Sequence, residues 1–330
     1  MAAITAPVLT ETPHLRPLNI LRDLPAVANL VEKCFADTLD DSGRRYIQQM
    51  REAGHDSLFL RWANKAVDSV SMPLSGYVWE ENGEVIGNVS VIPHRHKRKY
   101  FFLIANVAVS PEHRRRGIGR LLTLAAINHA RKRRVEEIWL HVRDDNPGAI
   151  ELYRSLGFVE LARRTQWQGK PDRNASADGL GVNLSDRAGS DWLQQEPWLQ
   201  RLYPDLLTWY QPMPWRSLRP GPGPALYRFM MDDEVRHWVA RRDGAVTAVL
   251  SWRSIAGQED RMWVAVPPEG SERAITALLL HARRILAWRQ AITLDFPAGE
   301  YSAALDAAGF RPRRMLLWMK LQAANSVHPS

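Results

Sequence analysis

The 330-residue chain contains one cysteine. A single thiol, Cys34, excludes an intrachain disulfide framework and a thiolate metal cluster. Within LVEKCFAD it reads as a small buried hydrophobe on an amphipathic helix, away from the motifs described below. No apolar run reaches transmembrane length, and the opening MAAITAPVLTETPH has no charged stretch leading into an apolar core. No membrane partner and no secretory leader are therefore expected, and the expected location is the cytoplasm. The phosphate-binding P-loop spacing is missing too. The dinucleotide fingerprint fails at its third glycine, where Leu122 stands.

The chain is 45% hydrophobic and 24% charged, with a net charge of +8. That is a globular composition whose positive balance admits a phosphate-bearing small molecule, a nucleic acid or a membrane surface. Nucleic acid is not expected, because no aromatic residues interleave with the arginines at 114–116. Ten of the 13 tryptophans lie beyond residue 160 and read as core and interface filler.

The length suggests two domains. Residues 16–35 read as a short strand and a helix, with Asp23 near its N-cap and Pro25 in the first turn. A second helix follows in DSGRRYIQQMREA. GYVWEENGEVIGNVSVIPH is a hairpin turning at Asn82-Gly83, and YFFLIANVAV is a strand apolar enough for a sheet interior. Ile118, Leu121, Leu122, Ala125, Ala126 and His129 then mark the buried face of a helix. EEIWLHVR is a strand, NPGAIELYRSLGF a loop and helix, and VELARRTQWQ a last strand. Residues 169–190, rich in Gly, Ser, Asp and Asn, read as a linker.

The second half repeats the first. VARRDGAVTAVLSW matches VWEENGEVIGNVSV, with Asp243-Gly244 at the turn. MWVAVPPEGSERAITALLLHA matches ANVAVSPEHRRRGIGRLLTLAAINHA, and AITLDFPAGEYSAALDAAGF matches EEIWLHVRDDNPGAIELYRSLGF. The second copy lacks the paired glycines and carries Leu305 where the first has Tyr153.

SPEHRRRGIGRLL joins a strand to a helix. Helix N-termini present unpaired amides and a positive dipole end, and glycines let a ligand approach the backbone. With Arg114, Arg115, Arg116 and Arg120 nearby, the stretch suits a pyrophosphate. Alone, it reads equally well as a cationic turn.

The V-x-V-x-P strand, the R-x-x-G-x-G loop at Arg114, Gly117 and Gly119, and N-x-x-A-x-x-x-Y-x-x-x-G-F from Asn146 to Phe158 resemble the GNAT superfamily of acetyl-CoA-dependent N-acetyltransferases. The resemblance is good over about residues 76–165. It implies an α+β architecture, the α/β GNAT fold, as two tandem domains, each a mixed, splayed sheet flanked by helices. The expected boundaries are 14–168 for a catalytic N-terminal domain, 169–190 for the linker and 191–325 for a degenerate C-terminal copy.

The same resemblance implies a site. Acetyl-CoA enters as co-substrate, with no metal. Its pyrophosphate would lie on the amides of Arg115, Arg116, Gly117, Ile118, Gly119 and Arg120, following Arg114. Its pantetheine arm would pair with the backbone of Val107, Ala108 and Val109 and bond to Asn146. The acetyl group would lie where this strand splays from the one carrying Leu140, and Tyr153 would protonate the departing thiolate.

The base is open at this point. Ribosomal-protein acetyltransferases of the family carry L-E-V-R where this chain reads LHVR, so His141 holds the Glu position and has a suitable ordinary pKa. Glu80, Glu81 and His94 are alternatives. The basic loop 93–100 reads as a solvated turn or as a guide for an acidic ligand. The expected activity is acetyl transfer to a primary amine, on a small molecule or a protein N-terminus, by a monomer or homodimer. A non-catalytic acyl-CoA sensor is the alternative.

Overall fold

The computed structural model describes residues 13–39, 41–55, 75–96, 99–209, 212–254 and 260–322. They fall into two compact units. One holds the residues up to Val142, Asn146–Leu161 and those from Met319 on, and the other Arg143–Asp145 and Ala162–Trp318.

In the first unit β1 (Leu15–Pro17) leads into α1 (Ile20–Phe35) and α2 (Asp41–His55). The α1 cap is Asn19, whose side chain accepts from the Leu21 amide at 3.1 Å, rather than Asp23. Asp23 lies in the first turn, accepting from the Asn19 amide and from Arg16. Leu24, Val27, Ala28 and Val31 form a stripe at helical spacing that packs with Ile47 and Met50 of α2. Each such burial contributes roughly 1.5–3 kcal/mol.

Strands β2 (Gly76–Glu81), β3 (Glu84–His96) and β4 (Lys99–Val109) are antiparallel neighbours. The β2–β3 turn has φ of +51° at Asn82 and +81° at Gly83, as the Asn-Gly pair predicts. Helix α3 (Ile118–Lys132) covers the face opposite α1. A Cβ on Gly87 would meet Leu122 Cδ1 at 3.0 Å, whereas Val78 and Ala108 join the α1–α2 core. Strand β5 (Glu137–Arg143) runs parallel to β4, and α4 (Pro147–Ser155) follows.

The second unit repeats this plan. β8 (Glu234–Arg242) and β9 (Ala245–Ser254) turn at Asp243 and Gly244, with φ of +51° and +79°. β10 (Asp260–Ala265), α9 (Glu272–Ile285), β11 (Ile292–Pro297) and α10 (Ser302–Ala307) complete it, β10 and β11 being parallel. Residues 169–190, expected as a linker, carry strand β7 (Asn183–Asp186), which pairs with β8. Ahead of β8 run α5 (Trp192–Leu202), α6 (Asp205–Thr208), α7 (Trp215–Leu218) and α8 (Pro222–Met230). Trp167, Trp192, Trp238 and Trp252 lie in this unit's core.

The last strands cross the expected boundary. Within the second unit, residues Arg164 to Gly169 of β6 (Phe158–Gly169) pair antiparallel with β11. Strand β12 (Phe310–Leu321) ends in the first unit. There Lys320 pairs with Glu137 at 3.4 Å and lies over the Trp139 ring, and the Gln322 amide donates to the Gly157 carbonyl.

Candidate active site

The site begins where two parallel strands part. β4 and β5 pair from Phe101↔Glu137 to Ile104↔Leu140 and no further, although β4 runs on to Val109 and β5 to Arg143. Opposite β3 the register shifts between Asn88 and Ser90, and Asn106 has a φ of +50°. This β-bulge re-aims the strand just past its last β5 partner. The backbone edge of Val107, Ala108 and Val109 therefore faces the opening, and His141, half-buried, is the first β5 residue beyond the paired segment. The available signal for the bulge was Asn106 inside an apolar strand, since Asn adopts positive φ more readily than other non-glycine residues.

After a 3-10 turn at Pro111–His113 the chain reaches α3. Gly117 is its N-cap, with φ +79° and no side-chain capping bond, and Arg115 is also left-handed at +65°. The first helical bond runs from the Leu121 amide to the Gly117 carbonyl, so the amides of Gly117, Ile118, Gly119 and Arg120 precede the ladder. A Cβ on Gly117 would meet nothing within 4 Å, which leaves the approach to these amides open. The Ile118 side chain is buried and anchors the helix start.

The arginines contribute less than their number suggests. Arg114 donates Nε to the Val109 carbonyl at 3.2 Å, Arg116 pairs with Glu81 at 2.8 Å, and Arg120 donates to Ser155 Oγ at 2.9 Å. Arg115 is exposed. Cys34 is not remote from this site. Its thiol donates to the same Val109 carbonyl at 3.3 Å, because α1 ends against the end of β4. Burial pushes that thiol's pKa up, so it stays protonated at neutral pH.

Asn146 caps α4, its Oδ1 accepting from the Ala149 amide at 3.1 Å, which leaves its NH2 group for a ligand. Tyr153, on the same helix, is buried edge-to-face with Phe158. Burial raises the phenol above its ordinary value, so it holds its proton throughout the neutral range.

The other candidate bases are placed less well. Glu80 accepts from Arg16 and Arg22, and Glu81 from Trp79 and Arg116, and these bonds hold both carboxyls below their usual range. His94 pairs with Phe101, six residues before Val107 and so about 20 Å along the strand, and burial lowers its pKa. Lys97 and Arg98 of the basic loop lie outside the described residues.

The second unit has the same parting, with β10 and β11 paired only to Met262↔Leu294, but its own chain satisfies the groups concerned. The Val264 amide, in the place of Val107, donates to the Tyr203 hydroxyl at 3.3 Å. Arg201 donates to the Val266 and Pro267 carbonyls, and the Gly270 amide donates to the Tyr301 hydroxyl at 3.0 Å. Ser271 caps α9 with its side chain, where α3 has an open glycine. Asp295, next after Leu294, is held by Arg164 at 3.0 Å. The space left between Tyr203, Leu207, Thr208, Met213 and Asp295 is about 60 Å³.

A parted pair of parallel strands thus stands beside a glycine-capped helix start. Residues 26–158 match the family model described as Acetyltransferase (GNAT) family, and they form a GNAT domain. Over 80 residues the chain is 42% identical to the ribosomal protein bS18-alanine N-acetyltransferase of Escherichia coli, covering 24% of this chain and 54% of that one. Over 165 residues it is 32% identical to the mycothiol acetyltransferase of Thermobispora bispora, covering 47% and 50%. The chain thus spans about half the length of these curated relatives. The crystal structure of a GCN5-related N-acetyltransferase from Sphaerobacter thermophilus shares the fold, with a TM-score of 0.56 at 15% identity, over 93% of this chain and 95% of that one.

Proposed function

We propose that the first copy, within 14–168, transfers an acetyl group from acetyl-CoA to a primary amine by direct attack. The observation that carries this reading is the open edge of β4 beyond Ile104↔Leu140, lying beside a helix start whose glycine leaves its amides accessible. These groups suit the co-substrate chemically, with unpaired N–H donors for a pyrophosphate and a strand edge for an extended amide-bearing arm. Bound there, acetyl-CoA supplies an activated thioester.

The chain's own residues do the rest. The amides from Arg115 to Arg120 cradle the phosphates, and the backbone of Val107, Ala108 and Val109 aligns the arm. Asn146 contributes its free NH2 group. Tyr153, kept neutral by burial, gives its proton to the departing sulfur. His141, at the mouth of the parting, takes the proton of the attacking amine. No metal has a role in this reading.

The acceptor is a small-molecule amine or a protein N-terminus, classes in keeping with the names of the two curated relatives. The second copy, within 191–325, is non-catalytic, because Tyr203, Arg201, Tyr301 and Ser271 occupy the groups a ligand would need. A cytoplasmic monomer or homodimer completes the reading.

One observation favours a second reading, an acyl-CoA sensor without turnover: His141 stands where the ribosomal-protein enzymes carry Glu. Following thiol release from acetyl-CoA across a broad panel of amines and N-terminal peptides tests both. Release with at least one acceptor, lost in Tyr153→Phe, supports the transferase. Tight acetyl-CoA binding with no release across the panel refutes it.

A further inference from the structure

Asn106 is held in its left-handed conformation by three side chains from two elements. Its Nδ2 donates to the Tyr46 hydroxyl of α2 at 3.0 Å and to Ser90 Oγ of β3 at 3.2 Å. Its carbonyl accepts from Asn88 Nδ2 at 3.0 Å, and Asn88 Nδ2 also lies 3.3 Å from Ser90 Oγ. Asn88 and Ser90 are completely buried. Burying polar groups in an apolar sheet is costly unless they bond to one another, and here the bonds converge on one backbone position. That position lies between the last residue paired to β5 and the open edge of Val107–Val109.

We infer that Asn106 and Tyr46 are positioning residues for acyl-CoA. Tyr46 ties α2 to the bulge, and the Asn106 side chain selects the positive φ that turns the β4 edge toward the ligand. Neither residue touches the reacting atoms. The inference rests on the acyl-CoA reading of the first copy. A non-glycine residue without such bonds pays to enter the left-handed region, whereas glycine enters it freely.

The test uses the full chain with coenzyme A as the titrant, comparing wild type, Asn106→Ala, Asn106→Gly and Tyr46→Phe by calorimetry and thermal melting. Both Asn106 variants lose the same side-chain bonds, so both melting temperatures should fall, Asn106→Ala the further because alanine also pays to enter the left-handed region. Their affinities should separate, with Asn106→Ala weakened about tenfold, Asn106→Gly within about threefold of wild type, and Tyr46→Phe in between. If an acceptor is in hand, the Asn106→Ala defect should appear in KM for acetyl-CoA more than in kcat. Equal weakening in the Ala and Gly variants would overturn the inference, as would wild-type affinity in Asn106→Ala. Failure of the wild-type chain to bind coenzyme A would instead refute the acyl-CoA reading and this inference with it.

Discussion

Gly119→Ala separates folding from ligand binding by the sign of its two effects. Gly119 lies in the first turn of α3, and its φ is not in the left-handed region. A Cβ there would meet Leu152 Cδ2 at 3.7 Å and Val109 Cγ2 at 3.8 Å, which are ordinary contacts. Alanine removes unfolded-chain entropy at a compatible site, so the variant should gain about 0.5–1 kcal/mol. That corresponds to a rise of roughly 1–3 °C in Tm. In the proposed reading the same methyl adds bulk within the run of amides that would hold the pyrophosphate. Displacing one or two charge-assisted hydrogen bonds, at about 1.5–3 kcal/mol each, should weaken coenzyme A binding by roughly 10- to 10,000-fold. Thermal melting of the free protein and calorimetric titration with coenzyme A measure the two effects separately. Gly117→Ala is the control of opposite sign. Its Cβ meets nothing, but φ +79° should cost about 1–2 kcal/mol of stability. Coenzyme A affinity within twofold of wild type in Gly119→Ala would refute the assignment of the loop as a phosphate cradle.

Calorimetry on the full chain should find one coenzyme A per chain, and two would show that the second copy's Tyr203 and Tyr301 contacts yield to ligand. Tyr153→Phe should lower kcat by about 100-fold or more with little change in Tm, and wild-type activity should show no alkaline limb from this phenol, whose pKa burial raises. His141→Gln should lose a similar factor in kcat with coenzyme A affinity unchanged, because only proton removal from the amine is lost; an unchanged kcat would remove His141 from the role. In the second unit, burial and the nearby Arg187 and Arg228 lower the His237 pKa to about 3, so the folded state keeps it neutral. Below about pH 6.5 the unfolded chain takes up a proton that the fold refuses, costing roughly 2 kcal/mol at pH 5. His237→Gln should flatten that acid-side fall in thermal melts, and a melting curve as steep in pH as wild type would contradict the burial argument.

Much of this molecule was legible because its signals are local. Asn82-Gly83 and Asp243-Gly244 demand left-handed backbone and fix two equivalent hairpins. The helix after Gly117 announces itself by the spacing of Ile118, Leu122, Ala125 and Ala126, all buried, whereas Leu121 and His129 of the same stripe are only half-buried. What stayed hidden depends on partners distant in sequence. Periodicity assigns a face to a strand but not a neighbour. FVELARRTQWQG and FRPRRMLLWMKL are both final strands of a repeat, and nothing in either states that the first pairs with β11 or that the second ends beside Glu137 and Trp139. The proximity of Cys34 to Val109 has the same origin, since it follows from where α1 ends against β4.

The contrast between the copies sharpens the functional argument. Loss of two glycines could by itself mean only a different loop. In the second copy, however, a tyrosine hydroxyl accepts from the strand amide, another accepts from the loop amide, and a serine caps the helix. Buried or enclosed backbone donors require partners, and a chain that no longer presents them to a ligand must satisfy them itself. The first copy retains an open glycine cap and a strand that β5 leaves beyond Ile104, where the Val109 carbonyl accepts from Arg114 and Cys34. The open helix start in one copy and the serine-capped, tyrosine-satisfied one in the other favour the first copy as the proposed ligand site.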